Sequence, residues 1–600
     1  MDRRGFLKGA AWFTVVNAGG MLSACGGHND SAPAPAAAGG STTGGSFALG
    51  VASGDPRENS IVFWTRCTPD AGSSPVGLRL EVATDAGFAN LAATAELSAV
   101  AAFDYTVRVK VTGLAPATRY NYRFVSGGKI SAVGQAKTAP AAAASPQQLR
   151  FAWMSCQDWS VNHWAAMELM AAEDLDFIVH LGDYIYETVD LAFDPVAAEP
   201  AHRKLSLPNG SALPGNQVYA TSLEDYRTLY RTYRSDARLQ ELHRKFAMIA
   251  IWDDHEFSDD CWQDHQTYTN ENQRQTARRR NANQAWAEYL PVDWGDVSFD
   301  LNNPAYNNIR IYRDFRFGNL MHLLMTDERL YRDDHVVNQA AFAQSLGHDP
   351  VNGDDAVGSR YFVAQPLLQQ FEALDAAALG RTPSILGTTQ AQWWKDALKA
   401  SNATWKIWGN EVPLNRMWLD LRGLTPPPLN QLFIVDADTW DGYPSHRAEL
   451  MSFLKTQNIG NVVAISGDVH AFQCGVVRDN PDPALGTPVA LDLVGAGISS
   501  TAFFQVLQAR LGSSPLSRLL PAAAAFDALL RANNPDLAFV DLDAQGYASA
   551  TLTPGALTVL FNKVKPLNAD GSKPAQPLAK RTRITLQAGS LAPRIEDNVG

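Results

Sequence analysis

Six short apolar runs in this sequence each stop abruptly at residues able to bind metal ions or move protons. "LRFAWM" precedes Ser155-Cys156-Gln157, "DFIVHL" precedes Gly182-Asp183-Tyr184, and "FAMIAI" precedes Trp252-Asp253-Asp254-His255-Glu256. "LMHLLM" precedes Thr326-Asp327, "TWKIW" precedes Gly409-Asn410, and "NVVAI" precedes Ser466-Gly467-Asp468-Val469-His470. One such cluster is the turn that ends a strand. Six of them, supplying thiol, carboxylate, imidazole, carboxamide and phenol, suggest parts of one ligand-binding site, provided the chain brings them together. A lone Cys156 nucleophile is disfavoured: the thiol-phosphatase loop needs a downstream arginine, and residue 162 is Asn.

The elements that would position these residues follow from periodicity. Continuous apolar runs of this length fit strands buried on both faces, and parallel strands of an α/β sheet present their carboxyl ends along one ligand-binding edge. Between them, "TSLEDYRTLYRTYRSDARLQELHRKF" and "TTQAQWWKDALKAS" read as helices opened by the capping pairs Thr221/Glu224 and Thr389/Gln392. "RQTARRRNANQ" reads as a solvated helix face, and Asp327 with Arg329 as a structural ion pair. A local period of two puts Tyr184 and Tyr186 on one side, which makes Tyr184 a reserve ligand.

Upstream, "DYTVRVKV" and "RYNYRF" alternate apolar and polar residues, as strands with one buried face do. They predict a small fibronectin III-like β-sandwich over residues 47–140, separated by an Ala/Pro-rich linker from a larger domain at 147–585, with a tail at 586–600. Residues 1–24, with Arg3 and Arg4 ahead of a weakly apolar segment, resemble a twin-arginine export signal. Its end, Leu22-Ser23-Ala24-Cys25, resembles a lipobox, which would make Cys25 a lipid anchor; residues 25–46 have the composition of a flexible tether. The expected location is the periplasm or another extracytoplasmic, membrane-attached site. A net charge of −12 disfavours non-specific nucleic-acid binding, and no glycine-rich phosphate loop follows any of the runs.

In order, "SCQ", "HLGDYIYE", "WDDHEFSDD", "WAEYLPV", "WDGYPSHR" and "SGDVHAF" resemble the PhoD-like alkaline phosphatases of the metallophosphoesterase superfamily. "FALGVASGDPRENSIVFWTR" resembles the start of that family's β domain. The resemblance implies a layered αββα-type α/β core. It places a ferric ion on Cys156, Asp183, Tyr186 and His470, with Asp183 bridging to calcium (one ion or two) on Asp254 and Asp468. His255 would be the catalytic histidine at the phosphate or leaving group; Asn410 would contact phosphate or a metal ligand. Tyrosinate at neutral pH needs a strongly polarising cation, which suits iron(III), and an all-carboxylate position suits calcium. The implied activity is hydrolysis of phosphate monoesters by metal-activated hydroxide, on small molecules or phosphate-rich polymers, by a monomer. A phosphodiesterase or phospholipase-D-like activity at the same centre, and a non-catalytic metal- or phosphate-binding lipoprotein, remain alternatives.

Overall fold

All six apolar runs are strands. β1 (Leu149–Met154), β2 (Phe177–Leu181) and β3 (Ala247–Ile251) lie parallel and adjacent in one sheet. β4 (Met321–Met325), β5 (Trp405–Gly409) and β6 (Val462–Ser466) do the same in another. The computed structural model describes residues 13–17, 44–189, 198–202, 205–213, 217–268, 273–337, 362–427, 429–480, 482, 485–511 and 520–599. Every residue of β2, β3, β4 and β6 is buried, as continuous apolar strands require. The clusters therefore line two sheet edges, three on each, rather than one.

The two sheets share a core. Phe151 and Trp153 of β1 belong to the same cluster as Leu323 and Met325 of β4, Ile407 of β5 and Ile465 of β6. Outside, helices Gln365–Leu379, Gly387–Lys399 and Pro444–Thr456 pack Leu368, Trp394, Leu450 and Leu454 on the other face of the second sheet, against Leu324, Trp408 and Ala464. Helices Leu223–Tyr233 and Ala237–Lys245 pack with the first sheet. This is a layered helix–sheet–sheet–helix arrangement.

Several details differ from the sequence expectations. Helix Leu223–Tyr233 is capped by Ser222 and Asp225, one residue later than expected, because Asp225 is the carboxylate that reaches back to the Ser222 N–H (2.9 Å). Helix Gly387–Lys399 begins upstream of Thr389, with no side-chain cap. In helix Thr276–Tyr289, Arg278 and Arg279 are buried instead of solvated: Arg278 lies over Tyr219 and Phe257, and Arg279 lies over Trp252. Aromatic faces and backbone carbonyls replace the water that a guanidinium would otherwise need.

The N-terminal strands Val51–Gly54, Ser60–Arg66 and Thr106–Thr112 share a core with Val76–Ala83, Leu91–Ala99 and Arg119–Ser126. The first three also continue the first sheet, because Val51–Gly54 pairs in parallel with β3 through Ser53–Ala247 and Gly54–Met248. Consequently the polar face of Thr106–Thr112 is covered. Arg108 is 3% exposed, lies 4.5 Å above the Trp294 ring and donates to Leu290 O, and Lys110 pairs with Asp293. Two segments expected to lie outside the fold enter this sheet. Phe13–Asn17 pairs in parallel with Thr106–Thr112, and Arg594–Glu596 pairs with Leu578–Gln587; each extends an edge where backbone groups would otherwise lack partners. Of the expected tether, residues 25–43 lie outside the described residues.

Candidate metal centre

The turns that end β1, β2 and β6 hold the polar clusters in unusual backbone. Cys156 (φ 56°), Asp183 (φ 54°), Asp468 (φ 67°) and His470 (φ 49°) all occupy the left-handed region, which side chains with a Cβ avoid at a cost of roughly 1–3 kcal/mol each. The surroundings enforce it. Cys156 N donates to Gly182 O (3.1 Å) and Gln157 N to Asp183 O (3.0 Å), locking the β1 and β2 turns together. The buried Glu256 carboxylate accepts N–H groups from Asp183 (3.0 Å), Tyr184 (2.6 Å) and Asp253 (2.8 Å), which ties β2 to β3. Gly182 has φ 110°, and a Cβ there would lie 2.4 Å from the Asp253 Cβ and 2.5 Å from its nitrogen, so only glycine fits.

These constraints bring ligand-type atoms of Cys156, Asp183 and His470 within 4.8 Å of one another. Tyr186 joins them: its hydroxyl lies 3.2 Å from Asp183 Oδ2, 3.2 Å from His470 Nε2 and 2.7 Å from Ser500 Oγ. His470 Nδ1 donates to Thr501 O (2.8 Å), which fixes the tautomer and leaves the Nε2 lone pair facing the cluster. Two adjoining groups are Asp183–Asp254–His255 and Asp253–Asp254–Asp468. Asp183 thus stands in both the Cys156–His470 group and the Asp254–His255 group, and Asp254 links the latter to the all-carboxylate group.

Electrostatics show what this arrangement lacks. Burial, reinforced by neighbouring acids, pushes the Cys156 thiol, the Tyr186 phenol and the Asp183 and Asp468 carboxyls well above their ordinary ranges. Burial drives His470 down to about 4, so its imidazole is neutral. Thiol, phenol and carboxyl cannot all ionise here without added positive charge, and a set of sulfur, phenolic, carboxylate and neutral imidazole donors fits cations that would displace those protons. The fit to metal is therefore chemical as well as geometric.

His255 stands on the exposed side. Its Nδ1 lies 2.7 Å from Glu187 Oε2, and its Nε2 lies 4.0 Å from Asp254 Oδ2 and 3.7 Å from Asp259 Oδ1. Burial opposes its charging, but Asp254, Glu187 and Asp183 outweigh burial and raise its pKa well above the usual value. Glu187 is fully buried and also accepts the Asp259 N–H (2.9 Å) and the Tyr268 hydroxyl.

Three residues singled out in the sequence sit differently. Asn410 is spent on structure, donating to Val412 O and accepting from Trp440 Nε1 (3.0 Å). Tyr184 points away from the centre, its hydroxyl 2.8 Å from His243 Nε2, because residues 184–185 bend and do not form the extended segment that a period of two requires. Asp327 does not pair with Arg329 but caps the Arg329 and Leu330 N–H groups (3.1 and 2.8 Å). Arg329, wholly buried, binds Asp253, Asp438 (2.6 Å) and Asp468 (3.3 Å), so it is the cation inside the acidic group. Sequence reasoning missed Glu187, Glu256, Ser500 and this use of Arg329. Two carried a signal: Glu187 as the acid closing "HLGDYIYE", and Glu256 as the acid closing the cluster after β3.

A family model described as PhoD-like phosphatase matches residues 151–561, and one described as PhoD-like phosphatase, N-terminal domain, matches residues 32–140. The chain is 30% identical over 559 residues to alkaline phosphatase D of Bacillus subtilis (strain 168), covering 92% of this chain and 82% of that protein. A solved structure described as "Structure of PhoD" superposes with a TM-score of 0.73 at 26% identity, covering 92% of each chain.

Proposed function

This chain belongs to the PhoD-like phosphatase family and is a phosphoric ester hydrolase, and from that premise we propose that it is a metal-dependent phosphatase for phosphate monoesters. The observation that carries the reading is the position of Asp183, within ligand distance of both Cys156–His470 and Asp254–His255. Cys156, Asp183, Tyr186 and His470 would hold a ferric ion, and Asp183, Asp254 and Asp468 would hold calcium. When bound, such a cation pair supplies charge neutralisation at the phosphoryl oxygens and acidifies water for in-line attack.

The chain's own residues do the rest. Glu187 orients His255 through Nδ1, which leaves Nε2 to donate a proton to the departing ester oxygen. Glu256 and Gly182 hold Asp183 at the junction of the two groups. Arg329 offsets the repulsion between Asp253 and Asp468 by bonding each, and Ser500 holds the Tyr186 hydroxyl toward the centre. Phosphoryl transfer asks mainly for positioning and charge neutralisation, which this arrangement is suited to give.

We further propose a location outside the cytoplasm, reached by the twin-arginine route, with Cys25 as lipid anchor; the resemblance of residues 1–25 to an export signal and lipobox supports this. Among the described residues no helix is long and apolar enough to cross a membrane. Hydrolysis of a chromogenic monoester, compared with the corresponding bis-ester, tests the substrate class. A faster monoester reaction that is lost in both D183N and H255Q is expected, and a large preference for the bis-ester would overturn the monoester assignment.

A further inference from the structure

Two glutamates that the proposed chemistry does not use interlock at the strand ends of the second sheet. Glu328 follows β4 and Glu411 follows β5, and both are wholly buried. Their bonding is reciprocal: Glu328 N donates to Glu411 Oε2 (2.7 Å), and Glu411 N donates to Glu328 Oε2 (2.7 Å). The two carboxyl groups also lie in hydrogen-bond contact with each other. Among the described residues, nothing donates to the second oxygen, Oε1, of either one. Thr326 is near, but its hydroxyl donates to Gly409 O (3.2 Å).

Two buried carboxylates in contact cannot both ionise without a large penalty, and a buried acceptor with no donor is itself costly. One proton shared by the pair relieves both, as in paired acids elsewhere. The charged groups facing the pair add to the demand. Asp327, beside Glu328, and Asp253, at the end of β3, are negative. Arg329 is already bonded to Asp253, Asp438 and Asp468, and Arg279 acts on Asp327. Burial first, and then the neighbouring acids, push Glu328 up to about 7 and hold Glu411 well above the carboxylate range.

The pair also ties three strand ends together. Glu328 directly precedes Arg329, and Glu411 O accepts the Gly467 N–H (2.9 Å), one residue before Asp468. Arg329 and Asp468 then meet at 3.3 Å. We propose that Glu328 and Glu411 share a single proton at neutral pH, and that this clasp positions Arg329 and Asp468 by locking the turns after β4, β5 and β6. Loss of the proton puts two like charges in contact and parts the turns. The positioning role rests on the centre proposed above, whereas the proton is read without turnover.

Infrared difference spectra of the metal-loaded protein, wild type against E328Q and against E411Q, detect the proton as a protonated-carboxyl C=O stretch. One band lost in both variants is expected, because each carboxamide leaves the remaining carboxyl ionised. A band lost in only one variant, or no band, overturns the shared proton. The pH profile of monoester turnover reads the positioning. Wild-type kcat/KM should fall on the alkaline side with the same midpoint as the band, and E411Q, with no shared proton to lose, should lack that fall. An alkaline limb identical in wild type and E411Q overturns the positioning role. Should neither variant fold, neutron diffraction from wild-type crystals at neutral pH decides: a deuteron on one of the two carboxyls supports the clasp, and two bare carboxylates overturn it.

Discussion

Replacing Glu187 with Gln tests how the candidate catalytic histidine is held. The substitution keeps the shape of a fully buried side chain and removes its charge. The carboxylate lies 2.7 Å from His255 Nδ1 and also accepts the Asp259 N–H (2.9 Å), and the carboxamide oxygen can keep only one of these. If it keeps Asp259, an NH₂ group faces His255 and the ring loses its anchored orientation. At an effective dielectric of about 20 and roughly 3 Å, the Coulomb attraction alone would be about 5–6 kcal/mol, which is a ceiling. Arg278 already offsets part of the Glu187 charge, and hydrogen bonds to charged groups typically contribute about 1.5–3 kcal/mol. The expected loss is therefore about 10- to 100-fold in kcat for a chromogenic monoester, with KM and metal content near wild type. Steady-state kinetics with elemental analysis read this out. A kcat within twofold of wild type, with metals retained, would show that Glu187 does not position His255.

Three further outcomes follow from the same geometry. G182A should lower the unfolding temperature and reduce bound metal, because a Cβ 2.4 Å from Asp253 must displace the turn that presents Asp183; calorimetry and metal analysis check it. R329M should destabilise the protein by about 3–5 kcal/mol, because it strands Asp253 as a buried charge and takes one cation from Asp438, which keeps Arg332 and His335, and chemical denaturation followed by fluorescence should show it. His446 is buried and held down to about 4 by burial, whereas unfolded histidine titrates near 6.5. Its folded pKa is the lower one, so its contribution is complete above about pH 6.5 and declines as the pH falls toward 4, at up to ~1.4 kcal/mol per pH unit. H446Q should make stability less steep across that window, as urea midpoints at pH 7, 5.5 and 4.5 would reveal.

The strands were readable from sequence because each is a continuous apolar run closed by a polar residue, a pattern that depends on burial alone. The ligand-type residues were readable for the same reason: Cys156, Asp183, Asp254 and Asp468 each follow such a run within a few positions. What escaped were partnerships decided by distant packing. Arg329 was assigned to its neighbour Asp327, but the left-handed turns at Asp183 and Asp468 open an acidic space between the two sheets that draws the guanidinium instead. Asn410 sits at a strand end like the other candidates, yet Trp440, arriving from another segment, occupies its carbonyl. Arg278 and Arg279 read as solvent-facing because nothing local shows that Tyr219, Phe257 and Trp252 will cover them. The N-terminal strands alternated as a free sandwich would, and only the pairing of Ser53 with Ala247 shows that they extend the catalytic sheet.

The proposed chemistry depends above all on what Cys156, Asp183, Tyr186 and His470 hold. Elemental analysis of active, purified protein, paired with visible spectra of wild type and Y186F, addresses this directly. About one iron and at least one calcium per chain are expected, with a tyrosinate-to-iron absorption band that disappears in Y186F. A colourless, iron-free preparation with full phosphatase activity would contradict the assignment.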